Sequence, residues 1–170
     1  MSHFLSPLLR PSHHPVHLRN LRNGRILATD LETAFESASR RRGLLGRDCL
    51  PDGSALVIAP CGAVHTFFMR FPIDVVFASR DGCVVKTRSI VPPGRLAGTL
   101  RASAVIELPA GVIERSGTCP WDLLEIAGRS DDPGLATDGV SSGSNQTGLD
   151  GMRPGSAELD AGLRVFGRMR

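Results

Sequence analysis

The chain has 170 residues, enough for one domain with additional segments. Its formal net charge of +3 is too small to indicate nucleic-acid binding without a concentrated basic face. No apolar run approaches the roughly 18 residues of a membrane span, and the N-terminus lacks the apolar core of a signal peptide. We therefore expect a cytoplasmic protein without a membrane partner, and nucleic acid is disfavoured as a partner.

The composition changes twice along the chain. Residues 1–15 are rich in Pro and His and are predicted to form a disordered leader. Residues 128–170 are rich in Gly, Ser and Asp and are predicted to form a disordered tail, because they cannot bury enough apolar surface to offset their ordering entropy. Residues 16–127 are therefore expected to form a single globular domain.

The first part of this domain predicts a hairpin and a helix. Asn23-Gly24 stands between two short apolar arms and is a strong hairpin signal. A helix is predicted over residues 31–42, with the basic residues 40–42 near its end and Gly43 as its stop. Its apolar face would consist of Leu31, Ala34, Phe35 and Ala38.

The rest of the domain is predicted to form short strands. They are predicted at 54–59, 63–69, 73–78, 83–91, 103–109 and 121–127, with a loop at 92–98 and helical turns at 110–117. The predicted fold is mainly β (α+β). It is a small, twisted, partly closed and antiparallel-rich sheet or barrel with one N-terminal helix and a short C-terminal helical turn.

A glycine-containing turn follows the predicted helix. Gly43 and Gly46 allow close approach of the backbone, and exposed N–H groups there would bind a phosphate or carboxylate together with Arg47. The alternative is a helix C-cap followed by a turn, with Arg47 paired to a buried carboxylate.

An apolar run from residue 64 to residue 77 contains four polar candidates for a ligand-binding site, namely His65, Thr66, Arg70 and Asp74. Asp74 has apolar neighbours in a predicted strand, where an unpaired carboxylate is very costly. It therefore needs Arg47, Arg70 or backbone N–H groups as a partner. His65 and Asp74 could perform acid–base chemistry, although no nucleophile motif accompanies them.

Glu107 is a further acidic residue among apolar neighbours, between Ile106 and Leu108. With Asp74 it could form a carboxylate pair for metal binding or hydrolysis. A metal site normally needs three or four ligands, and His65 is the only evident third, so no metal and no cofactor are predicted. The four cysteines form no C-x-x-C pair and are expected to be free thiols.

Four blocks of sequence together resemble a known family. They are Arg-x-x-Gly-Leu-Leu-Gly-Arg at 40–47, His65-Thr66-x-x-Met69-x-x-x-Ile73-Asp74-Val75-Val76-Phe77, Gly82-x-Val84-Val85, and the run from Val105 to Gly111. Over about residues 31–126 the chain resembles the domain of unknown function 192 family. It has Leu45 where that family usually has Met, and Trp121-Asp122 where Gly-Asp is usual. The resemblance implies a small, compact, β-rich domain and implies no reaction.

Three functions remain open at this point. The first is binding of a small anionic ligand or a protein partner near Arg47, His65 and Asp74. The second is a hydrolase or transferase that uses His65 with Asp74 or Glu107. The third is nucleic-acid binding through Arg40, Arg41, Arg42 and Arg47. The first two can be distinguished by whether His65, Asp74 and Glu107 line one open pocket or lie apart and sealed.

Overall fold

The computed structural model describes residues 3–9 and 15–128. A 3₁₀ turn (Ser6–Leu8) comes first. The remaining elements are β1 (Val16–Asn20), β2 (Ile26–Ala28), β3 (Asp30–Ala34), α1 (Ser37–Arg42), β4 (Ser54–Ile58), β5 (Ala63–His65), β6 (Ile73–Ala78), β7 (Val84–Val91), β8 (Leu96–Gly98), β9 (Ala104–Pro109), α2 (Val112–Ser116) and β10 (Leu124–Gly128). The chain is mainly β, as predicted. Apart from Gly128, the predicted tail lies outside the described residues.

The strands of the described residues form three sheets. The largest has the order β3-β4-β9-β6-β7, in which only the β3–β4 pair is parallel. A second sheet has the order β10-β1-β2, and the hairpin predicted around Asn23-Gly24 is its β1–β2 pair. β5 and β8 form a separate two-stranded sheet. No helix within the described residues is both long and apolar enough to cross a membrane.

The two faces of the five-stranded sheet bury different cores. Val76, Ile106 and Leu108 belong to a core shared with Leu18 and Ile126 of the β10-β1-β2 sheet. The alternate residues of the same strands belong to a second core, which also contains apolar residues from the segments around α1 and β5. Its members include Leu44, Leu56, Val64, Met69, Val75 and Val105. Side chains that alternate along β6 and β9 therefore enter different environments.

The helix predicted over residues 31–42 is wrong in its first half. Residues Asp30–Ala34 form β3, which pairs in parallel with β4, and α1 begins only at Ser37. The spacing of Leu31 and Ala34 matches a helix, but pairing with the fully buried strand β4 outweighs this local pattern. The second half of the prediction, through residues 40–42 to Gly43, is correct.

Three further predictions, two of strands and one of a loop, need correction. The strand predicted at 63–69 ends at His65, and the loop predicted at 92–98 contains β8, its partner. The strand predicted at 121–127 begins only at Leu124. The five-stranded sheet is open within the described residues, with β3 and β7 at its edges, so no closed barrel forms there.

Residues 3–9 lie in the predicted disordered leader, and for them that prediction is wrong. Phe4 and Leu5 are buried, with 8% and 4% of their surfaces exposed, in the core between the two larger sheets. The Phe4 N–H donates to the carbonyl of Arg80 at 3.2 Å. Phe4 also lies against Gly82, where an added Cβ would come within 2.8 Å of its ring. The apolar pair therefore closes one side of the domain.

The Trp121-Asp122 position is held by a polar network. The Asp122 carboxylate accepts hydrogen bonds from Asn20 at 2.7 Å and from Arg22 at 2.5 Å. It also accepts the backbone N–H of Cys119 at 2.9 Å. The Arg22 guanidinium holds the pKa of Asp122 well below its usual range. This network joins the β1–β2 turn to the segment that leads into β10.

Asp74 is fully buried in β6 and has two backbone partners. Its Oδ1 accepts the N–H of Ile90 at 2.7 Å, and its Oδ2 accepts the N–H of Ile113 at 2.7 Å. Ile113 is the second residue of α2, whose N-cap Gly111 has no side chain to perform this role. Ile90 lies where the β6–β7 register shifts. Of the partners considered from the sequence, the backbone N–H groups are therefore the correct ones, and Arg47 and Arg70 are not.

We expect Phe4→Ala to lower the free energy of unfolding by about 3 kcal/mol, because it empties a buried aromatic site. Urea denaturation measures the loss. Leu9→Ala is the control, since Leu9 is 63% exposed and the substitution should change little. Equal effects of the two substitutions would show that residues 3–9 do not pack on the domain.

We expect Asp74→Asn to cost about 3 kcal/mol of stability, because one amide NH₂ would face a buried N–H donor. The denaturation midpoint reports this loss. Asp48→Asn removes a carboxylate whose side chain is 81% exposed and should cost less than about 1 kcal/mol. An Asp74→Asn protein with unchanged stability would contradict the buried two-donor arrangement.

Candidate functional site

A cavity of about 490 Å³ lies beside α1 on the second-core face of the five-stranded sheet. Its walls come from α1, the turn that follows α1, the end of β4, β5 and β9. The lining residues used below are Arg40, Arg41, Arg42, Leu44, Leu45, Ile58, Cys61, Val64, His65, Met69 and Glu107. The cavity is thus an apolar pocket with basic, thiol, imidazole and carboxyl groups on its walls.

Glu107 is the buried polar group of this cavity. It lies on β9, opposite Val75 of β6 and Leu56 of β4, and only 3% of its surface is exposed. Its Oε2 has no hydrogen-bond partner. Burial raises the pKa of Glu107 to about 7, against the opposing influence of the positive charge of Arg47. Near neutral pH this carboxyl therefore exists in both protonation states and can donate or accept a proton.

The three arginines of α1 have different surroundings. Arg40 donates to the carbonyls of Phe35 and Ala59 and to the Ser37 hydroxyl, so its guanidinium is part of the wall. Arg41 and Arg42 are exposed, and within the described residues neither has a salt bridge or a side-chain hydrogen bond. Their charges are therefore accessible to a ligand at the cavity.

Three N–H groups in the turn after α1, where the sequence suggested an anion-binding nest, already have partners within the protein. The N–H groups of Gly43, Leu45 and Arg47 donate to carbonyls within the helix and turn, so they are not free for a ligand. Arg47 itself makes a bidentate salt bridge with Glu32 of β3, both hydrogen bonds at 2.7 Å. The Arg47 guanidinium lowers the pKa of Glu32. Arg47 thus joins the turn to β3 and does not line the cavity.

His65 and Cys61 occupy another wall. His65 is exposed at the end of β5 and stacks on Phe67, with ring centroids 5.4 Å apart. The Cys61 thiol donates to the carbonyl of Ala63 at 3.0 Å. All four cysteines are free thiols. Within the described residues, no three His, Cys, Asp or Glu side chains are grouped so as to hold a metal ion.

The predicted Asp74–Glu107 carboxylate pair does not form. In the β6–β9 register, Asp74 lies opposite Leu108 while Glu107 lies opposite Val75. Neighbouring positions on a strand point to opposite faces, so the two carboxyl groups lie on opposite sides of the sheet. His65 and Glu107 share the cavity, and Asp74 does not.

Thr66 and Arg70 also lie outside the cavity lining. Thr66 is buried, and its hydroxyl donates to the carbonyl of Pro92 at 2.7 Å and accepts the N–H of Arg95 at 2.9 Å. Arg70 is exposed and pairs with Asp48. Thr66 therefore joins two loops, and Arg70 belongs to a surface ion pair.

Sequence reasoning missed several residues that line the cavity. Arg41 and Arg42 were assigned to a helix end or to nucleic acid, although they lie immediately before the turn that forms one wall. Cys61 and Met69 stand in or beside segments predicted as strands, and no spacing indicated that they would face α1. The useful signal was Glu107, since a carboxyl in a strand between apolar residues must either find partners or border a cavity.

Two solved structures share the fold. One is a protein of unknown function from Novosphingobium aromaticivorans, with 23% identity, a TM-score of 0.57, and coverage of 65% of this chain and 83% of that one. The other, from Sinorhizobium meliloti, is described as a "putative transcription regulator"; it has 24% identity, a TM-score of 0.58, and coverage of 68% and 94%. At these identities the likeness concerns the fold alone. No curated protein matches the chain.

The family model DUF192, described as an uncharacterized ACR, matches residues 18–126. The match spans β1 to β10 and includes the whole cavity lining. It confirms the resemblance drawn from the four sequence blocks. The chain belongs to the DUF192 family.

Proposed function

We propose that this protein binds a small organic anion with an apolar body in the cavity beside α1. The observation that carries the proposal is Glu107, a carboxyl with 3% of its surface exposed and an unpartnered Oε2 at the wall of a cavity of about 490 Å³. Buried polar groups are almost always hydrogen-bonded, so an unpaired one at a cavity marks the place of a bound polar group.

The protonated form of Glu107 is the useful one for this role. With a pKa raised to about 7, the carboxyl keeps a proton below neutral pH and can then donate a hydrogen bond to a ligand oxygen. A negatively charged ligand is then not repelled. Above that pH the buried carboxylate would weaken the binding of an anion.

Arg41 and Arg42 supply the complementary charge. Both are exposed at the cavity, whereas Arg40 and Arg47 are held by other groups of the protein. A carboxylate or phosphate is the anionic group that guanidinium donors bind best. Because only two arginines remain accessible, this site fits one anionic group better than the nucleic-acid backbone considered from the sequence.

The other walls favour an apolar ligand body. Leu44, Val64 and Met69 line the cavity and are almost completely buried, and Leu45 and Ile58 extend the same surface. Apolar walls with a few convergent polar groups are typical of small-molecule sites. The arrangement therefore selects an amphipathic anion over a fully polar one.

A second candidate function uses the same residues for catalysis. A carboxyl with a pKa near 7 is suited to general acid–base chemistry, and His65 shares its cavity. The hydrolase or transferase alternative therefore depends on His65 and Glu107, without Asp74. Hydrolysis of p-nitrophenyl hexanoate, abolished by Glu107→Gln but not by Arg101→Met, would support it.

We expect hexanoate and hexyl phosphate to bind more tightly than hexan-1-ol, because only the first two have an anionic group for Arg41 and Arg42. Isothermal titration calorimetry measures the affinities. The double substitution of Arg41→Met and Arg42→Met should weaken hexanoate binding about tenfold, equivalent to about 1.4 kcal/mol. Arg101→Met, an exposed arginine outside the cavity lining, is the control. Equal affinities for hexanoate and hexan-1-ol would contradict the proposal.

The raised pKa of Glu107 also predicts a dependence of stability on pH. Both folded and unfolded states carry the proton below pH 4.5, whereas between pH 4.5 and about 7 the unfolded state loses it first. The contribution of Glu107 to stability is therefore complete at low pH and falls by about 3 kcal/mol as the pH rises through this window. Above pH 7 it is constant.

Urea denaturation of the native protein and Glu107→Gln at several pH values tests this. The Gln variant should gain stability relative to the native protein by about 3 kcal/mol between pH 4.5 and pH 7.5. The difference between the two profiles isolates the contribution of Glu107. Parallel pH profiles would show that Glu107 has an ordinary pKa.

A further inference from the structure

A second feature lies outside the cavity lining, on the outer side of the loops around β5 and β8. Six exposed apolar residues form what we call the Phe67/Phe68 surface: Phe67 and Phe68 in the loop after β5, Ile90 near the end of β7, Pro92 and Pro93 in the loop after β7, and Leu96 at the start of β8. Phe68 is 90% exposed, Leu96 73% and Ile90 55%. Exposed large apolar side chains that are neighbours in space indicate a contact surface.

The two loops are fixed to each other by Thr66. Its hydroxyl donates to the Pro92 carbonyl, its N–H donates to the Arg95 carbonyl at 2.8 Å, and its own carbonyl accepts the N–H of Gly94 at 2.8 Å. β5–β8 pairing places Leu96 opposite His65, which stacks on Phe67. The Phe67/Phe68 surface is therefore built in advance and does not need ordering by a partner.

Backbone conformation contributes to the exposure of two of these residues. Phe68 has a φ of 63° and Ile90 a φ of 51°, which are costly for side chains other than glycine, asparagine and aspartate. Ile90 is held there by its hydrogen bond to Asp74. Strained backbone conformations persist where the surrounding structure imposes them. Here the two strained residues carry apolar side chains that project outward.

The two chain segments that carry this surface contain basic residues and no acidic ones. Residues 61–73 and 82–106, which contain both loops, include no Asp or Glu. They include the basic residues Arg70, Lys86, Arg88, Arg95 and Arg101. Arg70 is paired with Asp48, whereas Arg95 is exposed directly beside Leu96. An apolar projection with an unpaired exposed arginine beside it is complementary to a partner that is both apolar and negatively charged.

We propose that the Phe67/Phe68 surface docks on the surface of a membrane that contains anionic phospholipids. Projecting apolar side chains can enter a membrane at the boundary between the lipid head groups and the acyl chains, where no complementary groove is needed. Arginines beside them attract anionic head groups. A peptide partner would need a groove at these residues. Single-stranded nucleic acid would favour stacking rings, whereas Ile90 and Leu96 are aliphatic. Contact of this kind needs no membrane-spanning helix, and none is found in the part of the chain that the structure describes.

Co-sedimentation of the full chain with vesicles tests the proposal. We expect binding to vesicles of equal parts phosphatidylglycerol and phosphatidylcholine and much weaker binding to phosphatidylcholine alone. Phe68→Asn should lower the partition coefficient about tenfold, because it removes an inserted ring while asparagine tolerates the positive φ. Raising the NaCl concentration from about 50 mM to about 500 mM should also weaken binding, since it screens the arginines.

Trp121→Asn is the matched control. Trp121 is 77% exposed at a φ of 78°, but it lies in the turn before β10. Its substitution should leave vesicle binding unchanged, and circular dichroism should show both variants folded. The proposal is overturned if anionic vesicles do not bind, or if Phe68→Asn and Trp121→Asn have equal effects. Phe68-dependent binding of a thymidine oligonucleotide without vesicle binding also overturns it, and would assign the surface to nucleic acid.

Discussion

The fold depends on one buried carboxylate that accepts two backbone hydrogen bonds. Asp74 lies in β6, which pairs with β9 on one side and β7 on the other. From there it holds Ile90 at the irregular end of β7 and Ile113 at the start of α2, both at 2.7 Å. Two charge-assisted hydrogen bonds offset the cost of removing the carboxylate from water. Loops that are distant in sequence are thereby fixed to the middle of the sheet.

In the five-stranded sheet, side chains that alternate along a strand point to opposite faces, and this places a structural carboxylate on one face and the candidate site on the other. Asp74 and Glu107 lie on paired strands, one step apart in register, yet they face different cores. Asp74 has donors for both oxygens, whereas Glu107 has an unpartnered oxygen at a cavity and a raised pKa. Two carboxyl groups of similar burial therefore differ in what they leave available for a ligand. Hydrogen-bond satisfaction, more than burial, distinguishes them.

Much of the sheet could be predicted from the sequence, because its strands are short apolar runs bounded by turn residues. The need of Asp74 for partners was also predictable, since its neighbours in β6 are all apolar. The identity of those partners was not, because backbone N–H groups leave no signature in the sequence. Arg47 was a reasonable candidate, but its partner is Glu32, which lies in β3 where the sequence pattern predicts a helix. An error in one element thus concealed an ion pair.

The cavity was less predictable than the sheet, for a geometric reason. Its walls come from α1, β4, β5 and β9, and their juxtaposition depends on the parallel β3–β4 pair that the helical pattern of residues 31–42 concealed. The turn after β5 then divides its side chains between two environments. His65 and Met69 face the cavity, while Phe68 projects to the outside. Because Thr66 joins this turn to the loop at 92–95, a ligand in the cavity and a partner at the Phe67/Phe68 surface would contact different side chains of the same turn. The two roles therefore use different side chains and can be separated by substitution.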